Sequence, residues 1–164
     1  MLRFARLAIL ALLLPLLAAP ALALPAPMSE QELNDKSDLV AVVRVLSVTC
    51  TAVTQDEKTG EALPAYLAKL KLIEVKKGGA KAGDEVLVTW RAIPKGIVGP
   101  WTVNYYPGEV VLTHLANRSG GASYGSTWWN AKGDDVKAPE STDLPSTPGE
   151  TFIPPREPAA QTPL

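Results

Sequence analysis

Leu39-Val40-Ala41-Val42-Val43-Arg44-Val45-Leu46 is the stretch whose reading decides the fold. Its β-branched residues suit a pleated strand, and through Val48 only Arg44 and Ser47 interrupt the apolar run. A strand apolar on both faces is covered on both, as when a curled strand carries a helix or loop on its outside. Similar runs follow at 66–75, 86–90 and 110–115, separated by Lys58-Thr59-Gly60, Lys76-Lys77-Gly78-Gly79, Ala82-Gly83-Asp84 and Pro107-Gly108. Short strands at this spacing describe a small, closed or nearly closed all-β domain. They specify no reaction.

Alternation within the runs predicts which side chains turn inward. Tyr66, Ala68, Leu70 and Leu72 form one apolar face of the second run. The opposite set opens as Leu67, Lys69, Lys71 and then switches to Ile73 and Val75, which predicts a strand that bends through a bulge from half-exposed to buried. Val86, Val88 and Trp90 oppose Leu87, Thr89 and Arg91; Val111, Thr113 and Leu115 oppose Val110, Leu112 and His114. Residues 51–64 read as a long polar hairpin connection. A last extended piece, 123–130, holds Trp128 and Trp129, and alternation sends one inward and the other out. Before the first strand, Ser29-Glu30-Gln31-Glu32 has the spacing of a capping box, predicting a short helix to about Asp35 with Leu33 as its apolar contact. The apolar, breaker-rich loop 93–101 carries Ile97, Val98 and Trp101. It reads as a plug over one end of the fold, ahead of a lip for a ligand.

The two ends differ from this middle. Arg3 and Arg6, the apolar run 7–17 and the small residues of Ala21-Leu22-Ala23 spell a secretory signal over 1–23, with the mature chain starting near Leu24. The run is about a dozen residues, short of the roughly 20 that span a bilayer, so no membrane attachment is expected after cleavage. Export to a periplasmic or extracellular space follows. Removing both arginines takes the formal charge from −1 to −3, the opposite of a nucleic-acid footprint. Residues 138–164 hold seven of the fifteen prolines and are expected to form a disordered, Pro-rich tail. Residues 24–137 are left for one domain, of ordinary domain size. Cys50 is the single cysteine, so no intramolecular disulfide forms; it reads as a small buried filler.

No constellation of residues spells out catalysis. One histidine and one cysteine do not compose a usual Cys/His metal site, and nothing in the sequence brings Cys50 and His114 together as a nucleophile and base. The acidic pairs Asp56-Glu57 and Asp134-Asp135 fall in loops, where solvation keeps carboxylate pKa values alike. Lys69, Lys71, Lys76, Lys77 and Lys81 read as a solvated, gatekeeping face. Asn117-Arg118-Ser119 spells a glycosylation sequon, expected to go unused. No catalytic residue, metal ligand or cofactor is therefore expected. The candidate contact surface combines Arg91, Lys95 and Trp101 with Tyr105, Tyr106 and the outward member of Trp128 and Trp129, because aromatics beside a cation are common at protein or glycan contacts.

The order of a short helix, Ser37-Asp38-Leu39-Val40 opening strand one, Ile73-Glu74-Val75-Lys76-Lys77-Gly78 closing strand two, a third strand from Glu85 and Tyr106-Pro107-Gly108-Glu109 opening strand four resembles a known group. It looks like the OB-fold barrels of the netrin-module and tissue-inhibitor-of-metalloproteinase-like group, above all their small exported bacterial relatives. The resemblance covers about residues 29–130 and implies a five-stranded Greek-key barrel with loops free for binding. It does not carry over zinc chelation by an N-terminal cysteine, since the mature start is Leu24-Pro25-Ala26-Pro27. The expectation is an exported, non-catalytic module that binds another exported protein or a glycan. The alternative is an envelope protease inhibitor or assembly partner acting through the tail or loop 93–101.

Overall fold

The capping box forms as its spacing requires. The Ser29 amide donates to the Glu32 carboxylate at 2.8 Å while the Glu32 amide donates back to Ser29 Oγ, opening helix α1, Glu30–Lys36. Such a cap is worth about 1 kcal/mol. At the other end Lys77 Nζ donates to the Asn34 carbonyl, where a cation complements the helix dipole. Leu33 is the buried residue of α1.

The computed structural model describes residues 25–96, 102–118 and 123–155; the expected signal, 1–23, lies outside them. Seven strands follow α1: β1 Leu39–Gln55, β2 Ala62–Lys77, β3 Glu85–Arg91, β4 Val110–Asn117, β5 Ser123–Ser126, β6 Lys132–Lys137 and β7 Thr151–Phe152. β1, β2, β3, β5 and β4 pair in that order, and β4 pairs again with β1, so five strands close a ring. All those pairings are antiparallel except β3 with β5. β6 extends along β4, and β7 adds to β1. Among the described residues no helix is long and apolar enough to cross a membrane.

The predicted faces set the inside of the ring. Tyr66, Ala68, Leu70 and Leu72 are buried, as are Val88, Trp90, Val111, Thr113 and Leu115. Each buried Val or Leu side chain stabilises by about 1.5–3 kcal/mol. Tyr66, Trp90 and Tyr105 form an aromatic row with centroids 5.2 and 5.6 Å apart. Cys50 is fully buried, the filler its sequence context suggests. It pairs with Tyr66, whereas His114 pairs with Val40, ten positions back along β1. That separation excludes a nucleophile–base hydrogen bond.

Four expectations need correction. Ile73 is 45 % exposed, not buried. It is skipped in the register where Val42 faces Glu74 and Val43 faces Leu72; the anticipated bulge exists, and Ile73 is its extra residue, while Val75 beyond it turns inward to the core. Residues 51–64 are largely strand, because β1 and β2 continue past the ring as a paired ribbon. The connection shrinks to a turn in which Asp56 accepts from the Lys58 and Thr59 amides. Pairing of Ala52 with Ala65, Val53 with Pro64, Thr54 with Leu63 and Gln55 with Ala62 outweighs the polarity of the stretch.

Within the tail expected to be disordered over 138–164, residues 149–152 are hydrogen-bonded along β1. Gly149 N donates to Cys50 O, Cys50 N donates to Glu150 O, and β7 pairs with Val48 and Thr49. β4 covers only the first part of β1, Leu39 to Arg44, and the open edge beyond it supplies the ladder that composition cannot reveal. Residues 156–164 lie outside the described part. Finally, the extended piece 123–130 is strand only to Ser126. Trp128 and Trp129 sit in a loop and are both half-buried, so the in–out alternation does not apply to them.

Candidate functional site

β4 has β1 on one edge and shares the other between β5 and β6, and His114 is the junction. Thr127 N donates to His114 O, and His114 N donates to Ala131 O. The chain therefore leaves β4 after Thr127 and rejoins it at Ala131. Trp128, Trp129 and Asn130 are pinched out as a blister, closed by Ala131 N donating to Trp128 O at 3.1 Å. His114 is itself buried, its Nδ1 3.2 Å from the Ala131 carbonyl.

Beside this blister lies a pocket of about 340 Å³ lined by Trp90, Arg91, Thr102, Val103, Arg118, Ser126, Thr127, Trp128 and Trp129. Arg91 reaches it because Trp90, its neighbour on β3, takes the inward position, leaving Arg91 exposed. Arg118 leaves the end of β4 with its backbone amide on Ser123 O. Its guanidinium donates to Thr89 O at 3.4 Å and lies against Gly125 of β5. A Cβ at Gly125 would fall 2.3 Å from Arg118 Nε, so only glycine leaves the arginine that seat. Neither guanidinium has a carboxylate partner among the described residues. The pocket hydroxyls are committed inside the protein: Thr102 Oγ1 donates to Arg91 O, Thr127 Oγ1 meets Ser37 Oγ at 2.7 Å, and Ser126 Oγ meets Tyr105 Oη at 3.3 Å. The described lining includes no carboxylate, imidazole or thiol. It can hold an anion against aromatic surface, and it offers no group for general acid–base work.

A second polar cluster stands behind the pocket wall. Tyr106-Pro107-Gly108-Glu109 makes a turn with Gly108 at φ 86°, the left-handed value that its third position demands. The turn delivers Glu109, which is fully buried, to Lys132 Nζ at 2.6 Å. Glu109 also accepts the Tyr106 amide, while Lys132 donates to Asn104 O and lies over the Tyr105 and Tyr106 rings. Burial pushes the Glu109 carboxyl above the usual carboxylate range, and Lys132 and the Tyr106 amide only partly counter it. Tyr105 is fully buried, with its hydroxyl 2.6 Å from Thr113 Oγ1, and burial raises its pKa to about 12. Trp90 Nε1 donates to Asn104 Oδ1, and Asn104 Nδ2 to Tyr106 Oη. Among the described residues no buried side-chain polar atom lacks a partner.

The structure thus divides the surface read from sequence. Arg91, Trp128 and Trp129 come together at the pocket. Tyr105 does not belong to any contact surface: its ring fills the core beside Trp90, where Thr113 and Ser126 satisfy its hydroxyl. Tyr106 is half-buried at the Glu109–Lys132 cluster. Lys95 sits away from the pocket, held by its amide and ammonium to Glu61 of the β1–β2 connection. Trp101 lies outside the described residues, as does the rest of 97–101. Arg118 is the pocket side chain that the sequence reading missed. Its signal was Gly125, since a glycine within a strand marks close approach by another group.

A larger groove, about 700 Å³, runs between Arg44, Leu46, the 107–108 turn, 137–140 and 153–155. Its cations Arg44 and Lys137 already have partners, so it lacks the open charge of the smaller pocket. Scans against protein-family models, curated proteins and solved structures each found no significant match.

Proposed function

We propose that this chain is an exported, non-catalytic binding module and that the Arg91–Arg118–Trp128–Trp129 pocket is its contact site, taking a carboxylate-bearing ligand. The observation that carries this reading is the pair of guanidinium groups without a carboxylate partner among the described residues, beside two half-buried indoles. Guanidinium is the side chain best matched to planar carboxylates, and half-buried indoles supply contact area next to it. Export rests on the signal-like residues 1–23. The ring order and the mixed pairing of β3 with β5 support an OB-type Greek-key barrel of the netrin-module kind. In such barrels the β2–β3 face and the loops after β1 and β4 are the usual binding surface. Arg91 at the end of β3 and Arg118 at the start of the β4–β5 connection fit that placement.

Titration of the mature chain with poly-glutamate and polygalacturonate, against neutral polymers of the same length, tests the reading by tryptophan fluorescence. Acidic polymers should give a saturable change that weakens with salt. Arg91→Ala with Arg118→Ala should lower affinity about 10- to 100-fold, the scale of one or two charge-assisted hydrogen bonds. Equal binding of neutral polymers, or unchanged affinity in the double variant, refutes the assignment.

A further inference from the structure

The blister makes a second set of contacts that owes nothing to the arginines. Residues 25–28, which follow the expected signal, lie across it. Trp129 Nε1 donates to the Pro25 carbonyl at 3.3 Å and Trp128 Nε1 to the Ala26 carbonyl at 3.2 Å. The Asn130 side chain takes both backbone groups of Met28: its Nδ2 donates to Met28 O at 2.9 Å, and its Oδ1 accepts from Met28 N at 3.2 Å. Every one of these four bonds goes to the main chain. What is read is a backbone shape, not the side chains of this segment.

That shape is set by proline. Pro25 and Pro27 have φ fixed near −65° and no N–H, and the residues before them are pushed to extended or polyproline values. Along such a segment carbonyls point outward with few donors between them. The blister matches this pattern atom for atom. An indole can only donate, and the two indoles meet two carbonyls; a carboxamide both donates and accepts, and it meets the one residue that presents both groups. The receptor is also held independently of its occupant, since His114 and Ala131 fix the blister at its base. The occupant is held lightly: Pro25, Ala26 and Pro27 are exposed and Met28 is only half-buried.

We propose that Trp128-Trp129-Asn130 is a docking clip for an extended, proline-containing peptide of another protein, filled in this structure by the chain's own residues 25–28. The clip needs two consecutive carbonyls and, two residues after the second, a residue with a free N–H. Pro25-Ala26-Pro27-Met28 supplies that spacing. The tethered segment competes at an effective concentration in the millimolar range, so a partner peptide docks when that segment is released. This inference does not depend on the arginine pocket, because it uses the indole N–H edges and Asn130.

The test uses the mature chain, with acetyl-Leu-Pro-Ala-Pro-Met-amide as the probe and the Trp128 and Trp129 indole N–H resonances as the readout. In the unaltered chain both resonances should move only at millimolar peptide. Pro25→Gly with Pro27→Gly keeps the segment but removes its preorganisation, and the peptide should then bind at least 10-fold more tightly. A control peptide with glycine at both proline positions should bind at least 10-fold more weakly than the probe. Asn130→Asp, which keeps the acceptor for Met28 N and loses the donor to Met28 O, should cost about 10-fold while dispersed methyl resonances report an intact fold. No saturable shift of the two indoles in the glycine variant overturns the proposal. So does equal binding of the control peptide, or indifference to Asn130→Asp in a folded protein.

Discussion

Two regions of this molecule use the same materials to opposite ends. In the Glu109–Lys132 cluster a cation lies over two tyrosine rings and the chain supplies the carboxylate, fully buried and 2.6 Å away. In the Arg91–Arg118 pocket two cations lie beside tryptophans, and no carboxylate of the described chain reaches them. The clusters share a wall, because Tyr105 Oη contacts Ser126 and Trp90 contacts Asn104. One is closed and internally satisfied; the other is open and has its charge left over. Charge that a fold completes for itself serves stability, while charge it leaves uncompensated beside apolar surface is available to a ligand.

Breaking the closed cluster should have the largest effect. Glu109→Ala leaves the Lys132 ammonium, 18 % exposed, without its counter-charge. Loss of one member of a buried pair typically costs about 3–5 kcal/mol, so urea denaturation at neutral pH should show a loss on that scale. A loss under about 1 kcal/mol would mean that the pair is far more hydrated than its geometry indicates. Adding Lys132→Met to Glu109→Ala should restore part of the stability, because an apolar replacement removes the stranded charge.

The pH dependence of the same cluster is a smaller effect with a definite sign. Burial raises the folded-state pKa of Glu109 above its ordinary value of 4.5. The native state therefore holds a proton on Glu109 that the unfolded state releases first, and the stability linked to that proton, distinct from the pairing with Lys132, is fully present below pH 4.5. It is lost as pH rises through the raised folded value. Glu32 and Asp56 act in the opposite direction. Hydrogen bonds from Ser29 and Thr59, respectively, hold their pKa values down, and their contribution disappears as pH falls below the ordinary carboxylate range. Subtracting the stability–pH curve of Glu109→Gln from that of the unaltered chain isolates the first effect. The difference should decline with rising pH above 4.5, and a flat difference contradicts a raised Glu109.

How much of this was legible in the residues follows from where each element gets its order. Tyr66, Ala68, Leu70 and Leu72 announce an inward face because one side of β2 is buried, and Ser29 with Glu32 announces α1 because a cap is local. β6, Lys-Gly-Asp-Asp-Val-Lys, has no apolar face to announce; the edge of β4 orders it. β7 is likewise ordered by the open edge of β1. The blister was invisible because 123–130 reads as one extended piece, and only the two backbone bonds at His114 divide it. Tyr105 read as surface beside a Pro-Gly turn, yet Trp90 and Thr113 gave it an interior site. Arg91 and one of Trp128 and Trp129 were legible only as candidates, one by one. Their meeting with Arg118 depends on ring closure, which no local pattern states.

The open pocket gives the smallest stability effect and the sharpest contrast with the closed cluster. Arg118→Ala removes one 3.4 Å bond to Thr89 O on an exposed side chain, so stability should change by no more than about 0.5 kcal/mol. Gly125→Ala approaches the same pocket from the other side. Its new Cβ would meet the Arg118 guanidinium, with Nε at 2.3 Å. That guanidinium is the far end of a flexible side chain, so the arginine swings away and the strand stays. Both variants should therefore unfold within about 0.5 kcal/mol of the unaltered chain and both should lose affinity for carboxylated polymers, although one of them still carries the arginine. A Gly125→Ala variant that unfolds easily would show that Arg118 is packed as tightly as Lys132. One that binds unchanged would show that the seat on β5 does not position the charge. Either result would erase the distinction between a cation the fold consumes and a cation it presents.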